Sequence, residues 1–104
     1  MRIRKNDTVL VTRGKNAGQR GRILEMDRKK ERVLVEGVNM MKRHTKAGSR
    51  NQAGGVVERE APIHISNVMA WCEAVNGPSK ILMKTLEDGK RVRIWKVNGE
   101  TLDD

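Results

Sequence analysis

The sequence predicts an all-β fold, a small and strongly curved barrel. Two observations carry this: short runs of apolar residues alternate with polar ones, and each run ends in residues that favour turns. A third agrees with them, since no segment repeats its apolar residues with the period of a helix. The strands are short throughout, as a small closed or nearly closed sheet requires.

Val9 and Val11 mark a first strand, Ile23, Leu24 and Met26 a second, Val33 and Val35 a third. The connection Arg13-Gly14-Lys15-Asn16-Ala17-Gly18 has glycines able to take positive φ, and Asp27 to Glu31 forms a charged turn. Three strands joined this way make an antiparallel meander over residues 5–37. After Gly37 the pattern fades through Asn39 to His44. Residues 46–55 are polar and glycine-rich, and read as a long exposed loop. Val56 and Val57 resume an extended pattern, with Glu58 and Glu60 toward solvent. Beyond Pro62, residues Ile63, Ile65 and Val68 are expected to anchor a turn of helix or a bent strand to the core. Residues 80–97 carry a hairpin signal: Ile81 to Leu86, the turn Glu87-Asp88-Gly89-Lys90, then Val92 to Val97. Asn98-Gly99 ends that strand. There is no tandem repeat, and residues 1–104 are read as a single domain.

The 104-residue chain contains two Trp and no Phe or Tyr. Val, Ile, Leu and Met must therefore fill the core, and Met40, Met41, Trp71 and Trp95 are assigned to it. No run of about 18 apolar residues offers a membrane span, and Met1 to Asn6 lacks the apolar stretch of a signal peptide. A soluble, cytoplasmic protein without a membrane partner is expected. The lone Cys72 can form no internal disulfide and cannot by itself build a zinc site, so neither metal nor cofactor is expected. Cys72 beside a histidine, or Glu58 beside Glu60, lacks any nucleophile motif or ligand spacing, and the chain does not read as an enzyme.

The net charge is +9, and it is segregated. Residues 1–50 hold 15 Lys and Arg against 5 Asp and Glu, whereas residues 51–104 hold 7 against 8. Solubility alone requires no such division, so a surface facing a polyanion is the better reading. With two aromatic residues available for base stacking, phosphate contacts and RNA shape should dominate. Gly14, Gly18 and Gly21 leave backbone bare near Arg13, Lys15, Arg20 and Arg22, a combination suited to an RNA backbone. The alternative for these glycines is turn geometry and strand curvature alone. Arg2, Arg4 and Lys5 add charge ahead of the turn. His44, beside Lys42 and Arg43, is expected to face the same anion, while His64 between Ile63 and Ile65 reads as structural.

The run from Asn6 to Ile23 resembles the KOW motif, a strand, glycine-rich turn and strand of SH3-like barrels in ribosomal proteins and transcription factors. Val35 to Asn39, Lys42-Arg43-His44, Glu60 to Met69 and Glu87 to Arg93 follow at matching separations. Together they resemble the bacterial-type large-subunit ribosomal protein L twenty-four family along essentially the whole chain. The resemblance makes Asn39, Lys42, Arg43, His44 and Lys46 the second half of an RNA site, with Arg50 in the adjoining loop. It implies binding to large-subunit ribosomal RNA near its 5′ domain early in assembly. It also implies neighbouring large-subunit proteins as partners, a position by the nascent-peptide tunnel exit with the 46–55 loop as a finger toward it, and no homo-oligomer. Some family members carry two Cys-x-x-Cys pairs around the last hairpin; here Cys72 has Val75 three residues later, and no cysteine lies near Asn98. The competing reading is a transcription-elongation KOW module that docks on protein partners, which would need an accompanying domain.

Overall fold

The alternating valines do form a meander. The computed structural model describes residues 2–45 and 55–102. In it β1 (Thr8–Val11), β2 (Arg20–Asp27) and β3 (Arg32–Val35) pair antiparallel in sequence order. Val9, Val11, Ile23, Val33 and Val35 point inward and are all but completely buried. The adjacent apolar pair Ile23-Leu24 has a simple cause: the ladder slips between Ile23 and Glu25, and this bulge bends β2 while keeping Met26 packed against the core.

β4 (Met40–Thr45) and β5 (Gly55–Glu60) form a separate two-stranded hairpin. The fading pattern after Gly37 gave no strand here, so β4 is a correction. The hairpin pairs only within itself among the described residues, and a strand exposed on both faces has no alternation to display. Met40 and Met41, expected in the core, are 42% and 43% exposed for the same reason. Gly55 belongs to β5, and the remainder of the expected 46–55 loop lies outside the described residues.

β6 (Ile63–His64) pairs with β3, and a 3-10 turn over Ile65–Asn67 leads into β7 (Val68–Cys72), which returns beside β1. β8 (Gly77–Pro78) pairs antiparallel with the end of β7, Trp71 opposite Pro78. The resulting sheet has the order β6-β3-β2-β1-β7-β8. It has the strongly curved SH3-like character expected, but β6 and β8 remain unpaired with each other, so the barrel is open. Ile63, Val38 and Val68 complete the core. β9 (Ile81–Thr85) and β10 (Arg91–Trp95) form the C-terminal hairpin, closed by a turn with Gly89 at φ +86°. Trp71 and Trp95 are half-buried rather than core residues.

One ion pair ties this hairpin to the meander. Arg93, 4% exposed, donates from both terminal nitrogens to the Asp7 carboxylate, with Nη2 3.2 Å from Oδ1. Arg93 Nη1 also donates to the Arg2 carbonyl at 3.1 Å, and the Arg4 amide donates to Asp7 Oδ2 at 2.8 Å. In return, Arg2 donates to the Ile81 carbonyl at 2.8 Å. Gly21 supplies a second constraint. It faces inward on β2, where a Cβ would lie 2.5 Å from the Glu36 carbonyl oxygen and 2.8 Å from Val35 Cγ1.

At the root of the β4–β5 hairpin, Glu60 Oε2 accepts from the Gly37 amide at 3.0 Å. This bond, then Glu60's own amide and the nearby Arg59 charge, hold its carboxyl below the ordinary value of 4.5. A depressed carboxylate stabilises the fold above its unfolded pKa, and that contribution disappears as pH falls through the folded pKa. Glu60→Gln should therefore flatten the loss of stability below about pH 4.5, measured by urea unfolding across pH. Asp7→Ala, which leaves Arg93 buried without its carboxylate, should cost on the order of 3 kcal/mol. Gly21→Ala should cost about 1–3 kcal/mol by overpacking, with the clash set by backbone and a core valine.

Candidate nucleic-acid interface

The β1–β2 turn is held by its own backbone. Gly18 donates to the Val11 carbonyl at 2.8 Å, Ala17 to Gly14 at 3.2 Å and Gln19 to Asn16 at 3.1 Å. Gly14 and Gly18 sit at φ +87° and +93° with open space where a Cβ would project. They therefore serve the turn's left-handed geometry, and the exposed surface around them is free for a ligand. Gly21 differs: its missing Cβ is filled by β3, so it shapes the sheet instead of baring backbone.

The turn meets the β4 strand. Lys15 Nζ lies 4.0 Å from Met41 Sδ, and Asn16 Nδ2 donates to Asn39 Oδ1 at 3.2 Å. Arg13, Lys15, Asn16, Asn39, Pro62 and His64 share the wall of one shallow groove of about 180 Å³. Two clusters separated by some twenty residues in the chain thus become one surface. Within it Asn39 is a structural pivot. It adopts φ +57°, and its Nδ2 donates to the Ala61 and Pro62 carbonyls at 3.2 and 3.3 Å. His64 is likewise committed: Nδ1 contacts Ser66 Oγ at 2.8 Å and accepts from the Ser66 amide, while Nε2 is 3.5 Å from Glu31.

The other expected contacts have different settings. Arg20 and Arg22 lie on the sheet face opposite Val9 and Val11. Arg22 pairs with Glu36 at 3.1 Å, and Arg20 sits over the Trp71 ring at 4.0 Å. Lys42, exposed on β4, reaches Glu58 at 3.9 Å. Arg43 and His44 take their places in the β4 ladder opposite Val57 and Val56. Lys46 and Arg50 lie outside the described residues. Arg2 is turned to the C-terminal hairpin, Arg4 bonds through its amide to Asp7, and Lys5 is exposed in the turn before β1.

Two residues escaped the sequence reading. Arg59 pairs with Met41 across the β4–β5 ladder and is exposed, adding a cation to the hairpin. Its position between Glu58 and Glu60 in an extended run was the available signal, since alternation puts it on the opposite face. Trp71 supports Arg20, which no spacing rule could disclose. Cys72 is buried, with Asn98 Nδ2 4.0 Å from its sulfur.

Residues 38–102 match the family profile described as the C-terminal domain of large ribosomal subunit protein uL24, and residues 5–36 match the KOW motif. A large ribosomal subunit protein uL24 from Pelotomaculum thermopropionicum is 53% identical over 96% of this chain and 94% of its own length. Proteins of the same name from Acidithiobacillus ferrooxidans and Desulforamulus reducens are 49% and 50% identical, over 98% and 96% of this chain and 96% and 94% of their own lengths.

Replacing Arg13 and Lys15 together with alanine removes two exposed charges and no core contact. The double variant should keep its urea midpoint while its RNA affinity falls and its log affinity against log salt flattens by about 1.5. An unchanged slope in filter binding would remove this turn from the interface.

Proposed function

The chain belongs to the large ribosomal subunit protein uL24 family, whose members are structural constituents of the ribosome and not enzymes, and we propose that it binds large-subunit ribosomal RNA. The observation that carries the proposal is the fusion of the Arg13–Lys15 turn with Asn39–Lys42 through the Lys15–Met41 and Asn16–Asn39 contacts. This surface belongs to the half of the chain with 15 cationic and 5 acidic residues. Cations on a pre-formed turn can follow a folded phosphate backbone without first ordering the segment.

The family resemblance extends the proposal to time and place. Binding occurs early in subunit assembly near the 5′ domain of the RNA, and the protein lies near the nascent-peptide tunnel exit. Neighbouring large-subunit proteins are partners there, and nascent chains pass within reach. A transcription-elongation KOW module would account for residues 5–36 alone; the match over residues 38–102 favours the ribosomal reading.

With roughly six phosphate contacts, log affinity for large-subunit RNA should fall with log salt at a slope of about −4 to −5. Filter-binding titrations measure this directly. Binding no tighter than to an unrelated folded RNA, with little effect of salt, overturns the proposal. Sedimentation should also find the protein with large subunits, and cosedimentation with RNA polymerase alone would favour the transcription module.

A further inference from the structure

Arg20 opens β2 and is exposed, and its guanidinium carbon lies 4.0 Å from the centre of the Trp71 ring on β7. The registers Leu10↔Arg20 and Leu10↔Met69 put the two side chains one strand apart on the face opposite the valine core. A guanidinium over an indole at this distance is held by cation–π attraction and by contact of two flat surfaces.

The way Trp71 is kept argues that the contact has a use. Among the described residues its Nε1, shut away from solvent, has no hydrogen-bond partner, which costs stability. A leucine or methionine would cover the same apolar surface without stranding a donor. The chain has two Trp and no Phe or Tyr, and one of the two lies beneath an arginine. Among the described residues no carboxylate pairs with Arg20, whereas Arg22 has Glu36 and Lys42 has Glu58. One side of the Arg20 guanidinium rests on the indole, and the exposed residue leaves the other open to a ligand.

We propose that Arg20, positioned by Trp71, is a stacking platform for one unpaired RNA base, which lies on the solvent-facing side of the guanidinium. The inference rests on the RNA-binding reading above and adds a ligand class at one place, an unstacked nucleobase in addition to phosphate. Arginine planes accept bases by stacking, and a guanidinium already held in place loses less freedom when the base arrives. Trp71 is a positioning residue in this arrangement and does not itself touch the RNA.

The test measures filter binding of the full chain to large-subunit RNA over a salt series, for wild type, Arg20→Lys, Trp71→Leu and Trp71→Phe. Lysine keeps the charge and cannot stack, so Arg20→Lys should weaken binding about tenfold at every salt concentration with the slope unchanged. Trp71→Leu should show the same parallel loss, and Trp71→Phe, which preserves an aromatic face, should stay within about twofold of wild type. Urea melts report whether each variant folds; if Trp71→Leu does not, Arg20→Lys decides, because its side chain is exposed. Wild-type affinity in Arg20→Lys overturns the platform while leaving RNA binding intact. So does a loss in Trp71→Phe equal to that in Trp71→Leu. A wild-type chain that does not hold the RNA overturns both readings.

Discussion

The Asp7–Arg93 pair joins residues 86 positions apart, and the arrangement of the two halves depends on it. The core is built mainly from valines, whose short branched side chains fill a curved sheet but give little directional grip on the C-terminal hairpin. Arg93 supplies direction. Its planar group meets the Asp7 carboxylate through two nitrogens and also donates to the Arg2 carbonyl. Asp7 in turn accepts the Arg4 amide. The N-terminal segment, the entrance to β1 and the last strand are thereby fixed to one another. Burial makes the geometry demanding, since a desolvated charge pair is tolerated only when its hydrogen bonds are made.

That rigid base allows the hairpin of β4 and β5 to stand out with little apolar support. Its root is fastened by polar contacts, from Glu60 to the Gly37 amide and from Asn39 to the Ala61 and Pro62 carbonyls. Left-handed conformations at Gly37 and Asn39 turn the chain out of β3 at this point. Several residues that could have been ligand donors are consumed in building the surface. Asn39 and His64 orient backbone, Gly21 admits Glu36 and Val35, and Arg2 holds Ile81. Arg13, Lys15, Arg20 and Lys42 are left to face outward.

The sequence made the meander legible because its inner and outer faces differ, so every second residue of β1 and β3 is a buried valine. It hid β4 because Met40, Met41 and Lys42 are all exposed, and a strand without an inner face has no period to read. Gly14, Gly18 and Gly21 look alike as letters. Only the fold separates two that supply positive φ from one whose missing Cβ is occupied by a neighbouring strand. The segregation of charge was fully legible, and so were most of the cationic candidates. Which cations are spent internally was not, because Arg2 and Arg93 find partners, Ile81 and Asp7, at separations no local pattern reaches.

The resulting arginines and lysines divide by how strongly their charges are already compensated. Arg93 is desolvated and bound on two sides, so an incoming phosphate would have to break a buried pair to reach it. Arg22 and Lys42 are paired with Glu36 and Glu58 across exposed surface, where each ion pair is worth only about 0–1 kcal/mol. Such pairs limit the wandering of a long side chain, yet a phosphate can displace the carboxylate at small cost. Net charge alone would attract any polyanion to this half of the chain. The proposed RNA binding would require cations held at fixed spacing but weakly enough to exchange partners, and the exposed pairs, with the turn locked by its own backbone, meet that condition.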